Sequence, residues 1–196
     1  MPELDAAAIL KTQLRERTLA ARDALPPELR QAAAQAIAVG PFPVPVEPGI
    51  VISGFMPLKS EINPIPLMRK LAALGARLAL PVVRGRGKPL TMRAYAFGDL
   101  LDSGQWGIRE PKPEAPEVFP DILLVPLSVF DRNGNRIGYG AGYYDMTIAR
   151  LRTLKPVRTI GLAYAMQEVP AVPATERDER LDLVLTERGV IDCGGA

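Results

Sequence analysis

Alternating glycines at Gly138, Gly140 and Gly142 lie inside the run Asp-Arg-Asn-Gly-Asn-Arg-Ile-Gly-Tyr-Gly-Ala-Gly-Tyr-Tyr-Asp that spans residues 131–145. Glycines so spaced let the backbone curl tightly and turn several N–H groups toward one anion with no Cβ in the way. The run follows an apolar stretch, residues 122–127, and leads into helical spacing, so its order is strand, glycine loop, helix. That order suits phosphate, which the N-terminus of a helix attracts. Arg136 offers a forked donor to phosphate oxygens, and Asp145 offers a hard oxygen ligand to a divalent metal on the same phosphates. The spacing is neither Walker A nor the dinucleotide fingerprint, since no Gly-Lys-Ser/Thr follows and the third glycine comes too early. On its own the loop supports phosphate binding and a plain succession of turns about equally, because residues 131–134 have good turn composition.

Other residues carry two readings each. Lys11 and Arg15 stand at i and i+4 of a helical pattern, with Arg22 about two turns further along. Such a row is ordinarily a solvated face, yet no carboxylate at matched spacing balances Arg15 and Arg22, which leaves anion binding open. Asp178 sits in the charged stretch 176–180, either a solvated loop or a metal ligand. Asp145 alternatively stabilises the start of its helix, an effect of roughly 0.3–1 kcal/mol. Glu61 follows a strand and either caps the next helix or meets a ligand. Trp106, the only tryptophan, either packs in the core or offers a platform to an aromatic ligand.

Composition narrows the chemistry. The 196 residues suit one α/β domain, 1–196, with a single sizeable core. A net charge of +2 without a long basic block does not select nucleic acid. Cys193 is the only cysteine, so there is neither an intrachain disulfide nor a cysteine zinc cluster, and a cytoplasmic location is expected. There is no histidine, which removes the usual neutral-pH base and leaves oxygen as the ligand for any metal. No stretch has the length and apolarity of a membrane span, and no secretory leader is expected.

The pattern of elements says how these residues are carried. Helical spacing predicts a helix over about 3–23 and a second over about 27–38, followed by a stiff proline-rich connector at 40–49. Beyond it, strands are predicted at 50–52, 77–83, 121–127, 159–164 and 181–185, with helices at 64–74 and from about Tyr143. Residues 91–95 read as a further strand, whereas 104–113 have loop composition. Strands alternating with helices predict a three-layer α/β/α fold with a mostly parallel open sheet, the N-terminal helical segment of about 3–40 packing on it. In such sheets ligands sit beyond the carboxyl ends of the strands, where the residues following 50–52, 122–127 and 159–164 fall.

Together the blocks 11–15, 53–61, 106–111, 126–145 and 172–186 resemble the 5-formyltetrahydrofolate cyclo-ligase family, also called methenyltetrahydrofolate synthetases, and the loop ending Gly-Tyr-Tyr-Asp is the most specific of them. The resemblance implies that ATP phosphorylates the formyl oxygen of 5-formyltetrahydrofolate, that N10 attacks the activated carbon, and that phosphate leaves to give 5,10-methenyltetrahydrofolate and ADP. Such chemistry needs positioning and charge neutralisation more than a strong base. The resemblance further implies that Lys11, Arg15, Arg136, Ile137, Gly138, Tyr139, Gly140, Ala141, Gly142, Tyr143 and Tyr144 contact ATP, with Arg136 and Tyr144 as the catalytic candidates. Asp145 and Asp178 are then the magnesium ligands, and Met56 and Glu61 line the folate site. Phe55 and Trp106 are added as flat neighbours of the pterin. Met146 and Arg177 depart from the family pattern, standing where a basic residue and a histidine are common. Two other readings stay open, another ATP-using enzyme on a related pterin or amide and a non-catalytic nucleotide- or folate-binding protein. The expected partners are small molecules, and a monomer is favoured.

Overall fold

A computed structural model of the chain describes residues 2–194, with side chains from Ala6 onward. In chain order the elements are α1 (Pro2–Asp23), α2 (Pro27–Val39), β1 (Val51–Ser53), α3 (Ile65–Ala73), β2 (Arg77–Val82), β3 (Thr91–Tyr95), β4 (Leu101–Ser103), β5 (Arg109–Pro111), β6 (Ile122–Pro126), β7 (Val129–Phe130), β8 (Arg136–Ile137), α4 (Tyr143–Leu154), β9 (Arg158–Leu162), β10 (Leu183–Thr186) and β11 (Gly189–Asp192). Local chemistry explains the helix bounds. Pro27 opens α2 at a position whose N–H needs no partner, Asn63 Oδ1 accepts the Ile65 N–H at the start of α3, and Gly75 takes φ +96° just past its end.

Among the described residues the main sheet has seven strands in the order β11-β10-β9-β6-β1-β2-β3. The four central pairings, from β10 to β2, run parallel, and an antiparallel strand closes each edge. Alternation along the strands splits the core between the two faces. Ile122 and Leu124 of β6 pack with Leu67, Met68 and Leu71 of α3 and Ala34 and Ile37 of α2, whereas Leu123 and Val125 pack with Ile148 and Leu151 of α4. Helices on both faces make the expected three-layer α/β/α arrangement. Its strands read as continuous apolar runs because both faces are covered.

Two details differ from the sequence pattern. The 104–113 region is not all loop, since β4 and β5 pair as a short hairpin around Trp106. Residues 131–135 form the turn of a second hairpin, β7–β8, in which Asp131 accepts the N–H groups of Asn133 and Asn135. The turn reading therefore holds for the first half of the 131–145 run, and the glycine loop occupies the second half.

The chain proceeds from β1 outward to β2 and then returns to build β6, β9 and β10 on the other side. The topological switch point thus falls between β1 and β6, and open α/β sheets bind their ligands beyond the strand ends at such a point. Helix α1 meets this end of the sheet. Its Leu14 packs on Val129 of β7, Ile137 of β8 and Val172, and Thr18 and Arg22 on the same stripe are buried.

Candidate functional site

The 138–142 loop joins β8 to α4 at the switch point. Gly140 has φ +96° and Gly142, the residue capping α4, has φ +69°, so both occupy backbone regions that L side chains disfavour. Among the described residues no side chain caps the amides at the start of α4. An uncapped helix start preceded by a curled glycine loop presents several N–H donors toward one place, and the helix dipole favours an anion there.

Cations and carboxylates surround the loop. Arg15 Nε donates to the Gly138 carbonyl at 2.7 Å, which lays its guanidinium against Gly140. Lys11 Nζ donates to Asp178 Oδ2 at 2.6 Å, and Arg136 Nη2 donates to Asp145 Oδ1 at 2.8 Å. A second Arg136 nitrogen donates to the Glu179 carbonyl, and the Glu179 N–H returns to Asp145 Oδ1 at 3.0 Å. Burial pulls the Arg136 guanidinium below its ordinary pKa while Asp145, Asp178 and Glu179 pull it back up, and arginine stays charged either way. Asp178 also accepts from the backbone and hydroxyl of Thr175. Burial raises its pKa, but the bonds from Lys11 and Thr175 outweigh burial and leave it below the usual aspartate range.

The donor set is compatible with a hard cation. All hydrogen bonds to Asp145 fall on Oδ1 and all those to Asp178 fall on Oδ2, so one oxygen of each accepts no bond from the described residues. Both carboxylates keep partial exposure, 27% and 22%. Among the described residues no group of three or more His, Cys, Asp or Glu converges as a complete metal cage. A cation held here therefore takes its remaining ligands from phosphate oxygens and water, as magnesium commonly does.

Beside the loop, linked to it through Arg22 and Tyr139, lies the turn that follows β1. Glu61 is 8% exposed, and its carboxylate accepts the Leu58 N–H at 2.7 Å. Burial raises its pKa, opposed by the Leu58 bond, the Arg22 charge and the Tyr139 hydroxyl. Tyr144 is partly buried against the core. Burial and then the Glu61 charge push its pKa far up, with Arg136 opposing, so it remains a neutral hydroxyl donor. Met56 is half-buried beside the core. Phe55 is 2% exposed and fills the core with Ile52, so its ring is packing rather than an open flat surface. Trp106 does the reverse: it is 59% exposed, with its ring centroid 6.1 Å from that of Tyr143 at 60°.

Comparison with known proteins decides the family. Residues 8–187 match the model of the 5-formyltetrahydrofolate cyclo-ligase family. The chain belongs to that family. A cyclo-ligase of Mycolicibacterium smegmatis is 33% identical over 191 residues, covering 92% of this chain and 96% of the relative. The cyclo-ligase of Escherichia coli is 31% identical over 172 residues, covering 84% and 93%. The solution structure of Aquifex aeolicus 5,10-methenyltetrahydrofolate synthetase superposes with a TM-score of 0.77 at 28% identity, covering 95% of this chain and 94% of that one. A synthetase from Mycoplasma pneumoniae shares the fold, with a TM-score of 0.68 at 23% identity. The family is one of ligases that use ATP.

Within this cyclo-ligase framework the structure brings Lys11, Arg15, Arg136, Asp145 and Asp178 around the 138–142 loop. Sequence spacing underrated one residue there. Arg22 reads as the end of a solvated row, yet it is 1% exposed and reaches Tyr139 and Ser60. The usable signal was its place on one stripe with Lys11 and Arg15, without a carboxylate at matched spacing. Among the described residues no helix is long and apolar enough to cross a membrane.

Proposed function

We propose that this chain catalyses the ATP-dependent cyclisation of 5-formyltetrahydrofolate to 5,10-methenyltetrahydrofolate, releasing ADP and phosphate, between the 138–142 loop and the Glu61 turn. One observation carries the reading: three cations and two half-free carboxylates converge on an uncapped glycine loop that faces a buried carboxylate across the switch point. The first group has the charge pattern of a triphosphate with its cation, and the second suits the N–H edge of a pterin.

In this reading the amides of Gly138, Tyr139, Gly140, Ala141, Gly142, Tyr143 and Tyr144, beginning from Ile137, cradle the triphosphate, and Lys11, Arg15 and Arg136 neutralise it. Asp145 and Asp178 would hold magnesium through the oxygens the protein leaves without hydrogen bonds; the ion would supply charge neutralisation and orientation of the phosphates. Sharing their carboxylates in this way, Lys11 and Arg136 lose part of their counter-charge and serve phosphate oxygens instead. Transfer of the γ-phosphoryl group to the formyl oxygen converts it into a leaving group. The tethered N10 then attacks the same carbon, and phosphate departs with that oxygen. Arg136 and Tyr144 act on the transferring group, Arg136 as a fixed cation and Tyr144 as a neutral donor. Glu61 accepts from the pterin, Met56 lies beside it, and Trp106 offers the exposed flat face that Phe55 does not.

We place the reaction in the cytoplasm, a setting in keeping with a lone, buried cysteine. The direct test is purified protein with ATP, magnesium and 5-formyltetrahydrofolate. Methenyl absorbance should rise with equimolar ADP. No ATP-dependent rise with competent folate overturns the assignment.

A further inference from the structure

Arg22 is the largest fully buried side chain among the described residues, at 1% exposure. A guanidinium is expensive to remove from water, and the usual compensation is a carboxylate in direct contact. Among the described residues Arg22 has none within salt-bridge distance. Its direct partners are neutral and lie on separate pieces of the site. Nε donates to Ser60 Oγ at 3.0 Å, Nη2 donates to the Tyr139 hydroxyl oxygen at 2.8 Å, and Nη1 makes a longer approach, 3.5 Å, to the Leu127 carbonyl at the end of β6. The guanidinium also lies 6.0 Å from the centre of the Tyr139 ring.

Ser60 and Tyr139 sit on the two segments between which the reaction is proposed, the turn after β1 and the glycine loop. Ser60 directly precedes Glu61, and its hydroxyl in turn donates to Asp23, the last residue of α1. Tyr139 lies within the glycine loop, where its side chain is 43% exposed and its hydroxyl, which accepts from Arg22, also serves the Glu61 carboxylate, so Arg22, Tyr139 and Glu61 form one network. The planar fork of one arginine reaches both segments at once from rigid helix α1. Lysine, a point charge on a flexible stem, has no such fixed geometry.

We infer that Arg22 is a positioning residue that clamps the Glu61 turn and the 138–142 loop to one another, so that the pterin seat and the nucleotide loop are held as one unit. The inference rests on the cyclo-ligase reading of those two segments. It explains why the direct hydrogen-bond partners are neutral although the Glu61 charge lies near: the guanidinium is placed by what it must span. A clamp of this kind makes the two substrates' sites energetically dependent on the same contact.

The test is a double-mutant cycle read on each substrate separately. Arg22→Gln and Tyr139→Phe are each expected to raise the KM for 5-formyltetrahydrofolate by about tenfold, within the usual coupling range for residues in one network. Together they should raise it by no more than either alone. Arg22→Lys should recover thermal stability without recovering the KM. If Arg22→Gln does not fold, Ser60→Ala with Tyr139→Phe tests the same link from its two ends, again with a combined effect no larger than the greater single one. Effects that multiply, or a lowered melting temperature with both KM values unchanged, overturn the clamp. Turnover of the unaltered protein is measured alongside: its absence overturns the functional reading itself, whereas turnover with multiplying effects removes only the role of Arg22.

Discussion

Lys11 Nζ and Asp178 Oδ2 stand 2.6 Å apart although 167 positions separate them in the chain. The contact ties the first helix to the loop that precedes β10, and in the proposed mechanism it holds a phosphate cation and a magnesium ligand together until substrate arrives. Replacing either residue should therefore disturb a different substrate. Lys11→Met is expected to raise the KM for ATP, and Asp178→Asn to raise the magnesium concentration needed for half-maximal rate. Equal effects on both from either variant would show only loss of a structural pair.

The same carboxyl sets an acid limit. Its folded pKa lies below the unfolded value near 3.8, since the Lys11 and Thr175 bonds overcome the effect of burial. A group depressed in this way contributes stability above the unfolded value, and the contribution is lost as pH falls through the folded one. Stability of the Asp178→Asn protein should thus fall less steeply than that of the native protein below about pH 4. Parallel acid unfolding curves would contradict the pairing.

Glu61 has the opposite sign. Burial raises its pKa above the ordinary 4.5 despite the Leu58, Arg22 and Tyr139 contributions. A carboxyl raised on folding contributes stability that is fully present below the unfolded value and lost as pH rises through the folded value. Once ionised, the buried side chain is therefore a cost to the folded state, which in the proposed function substrate binding offsets. Glu61→Gln, which keeps an acceptor for Leu58, should leave the melting temperature at pH 7 unchanged or higher. Affinity for 5-formyltetrahydrofolate should fall by about tenfold or more, the scale of a lost hydrogen bond to a charged group, with ATP affinity preserved. A fall in stability and in both affinities would make Glu61 a turn-closing residue only.

Gly138 and Gly140 separate ligand contact from backbone need. A Cβ on Gly138 would meet nothing within 4 Å, and its φ is ordinary. At Gly140, φ is +96°. Gly140→Ala should cost roughly 1–3 kcal/mol of stability from backbone strain alone. Gly138→Ala should leave stability unchanged and weaken ATP, because the added methyl enters space the triphosphate needs. Unaltered ATP binding in the Gly138 variant would take the loop out of the nucleotide site.

Trp106 supplies its own probe. As the sole tryptophan, 59% exposed, it accounts for all indole emission from the protein. Adding folate should quench or shift that emission, and Trp106→Phe should lower folate affinity more than ATP affinity. Emission insensitive to folate would leave Trp106 as a surface residue beside Tyr143.

The elements were legible because their signals are local. The helix expected over about 3–23 is α1, and the 91–95 strand is β3 with the same ends. The apolar run at 122–127 becomes β6, buried on both faces, as continuous apolarity in a parallel strand requires. The β4–β5 hairpin was not legible, since two three-residue strands joined by glycines have the composition of a loop.

From the residue string alone one obtains the strand, glycine loop and helix in order, the absence of histidine and the family blocks. Each depends on neighbours a few positions apart or on composition. Burial and partnership were decided by tertiary structure. Phe55 and Trp106 are both aromatic, yet one fills the core and the other stands in solvent, and Arg22 is fully buried where Arg15, on the same helix, is half-buried. Strand order places β1 beside β6 and carries α1 across their ends. Contacts made by such closure join residues far apart in the chain, and no local spacing encodes which of them meet.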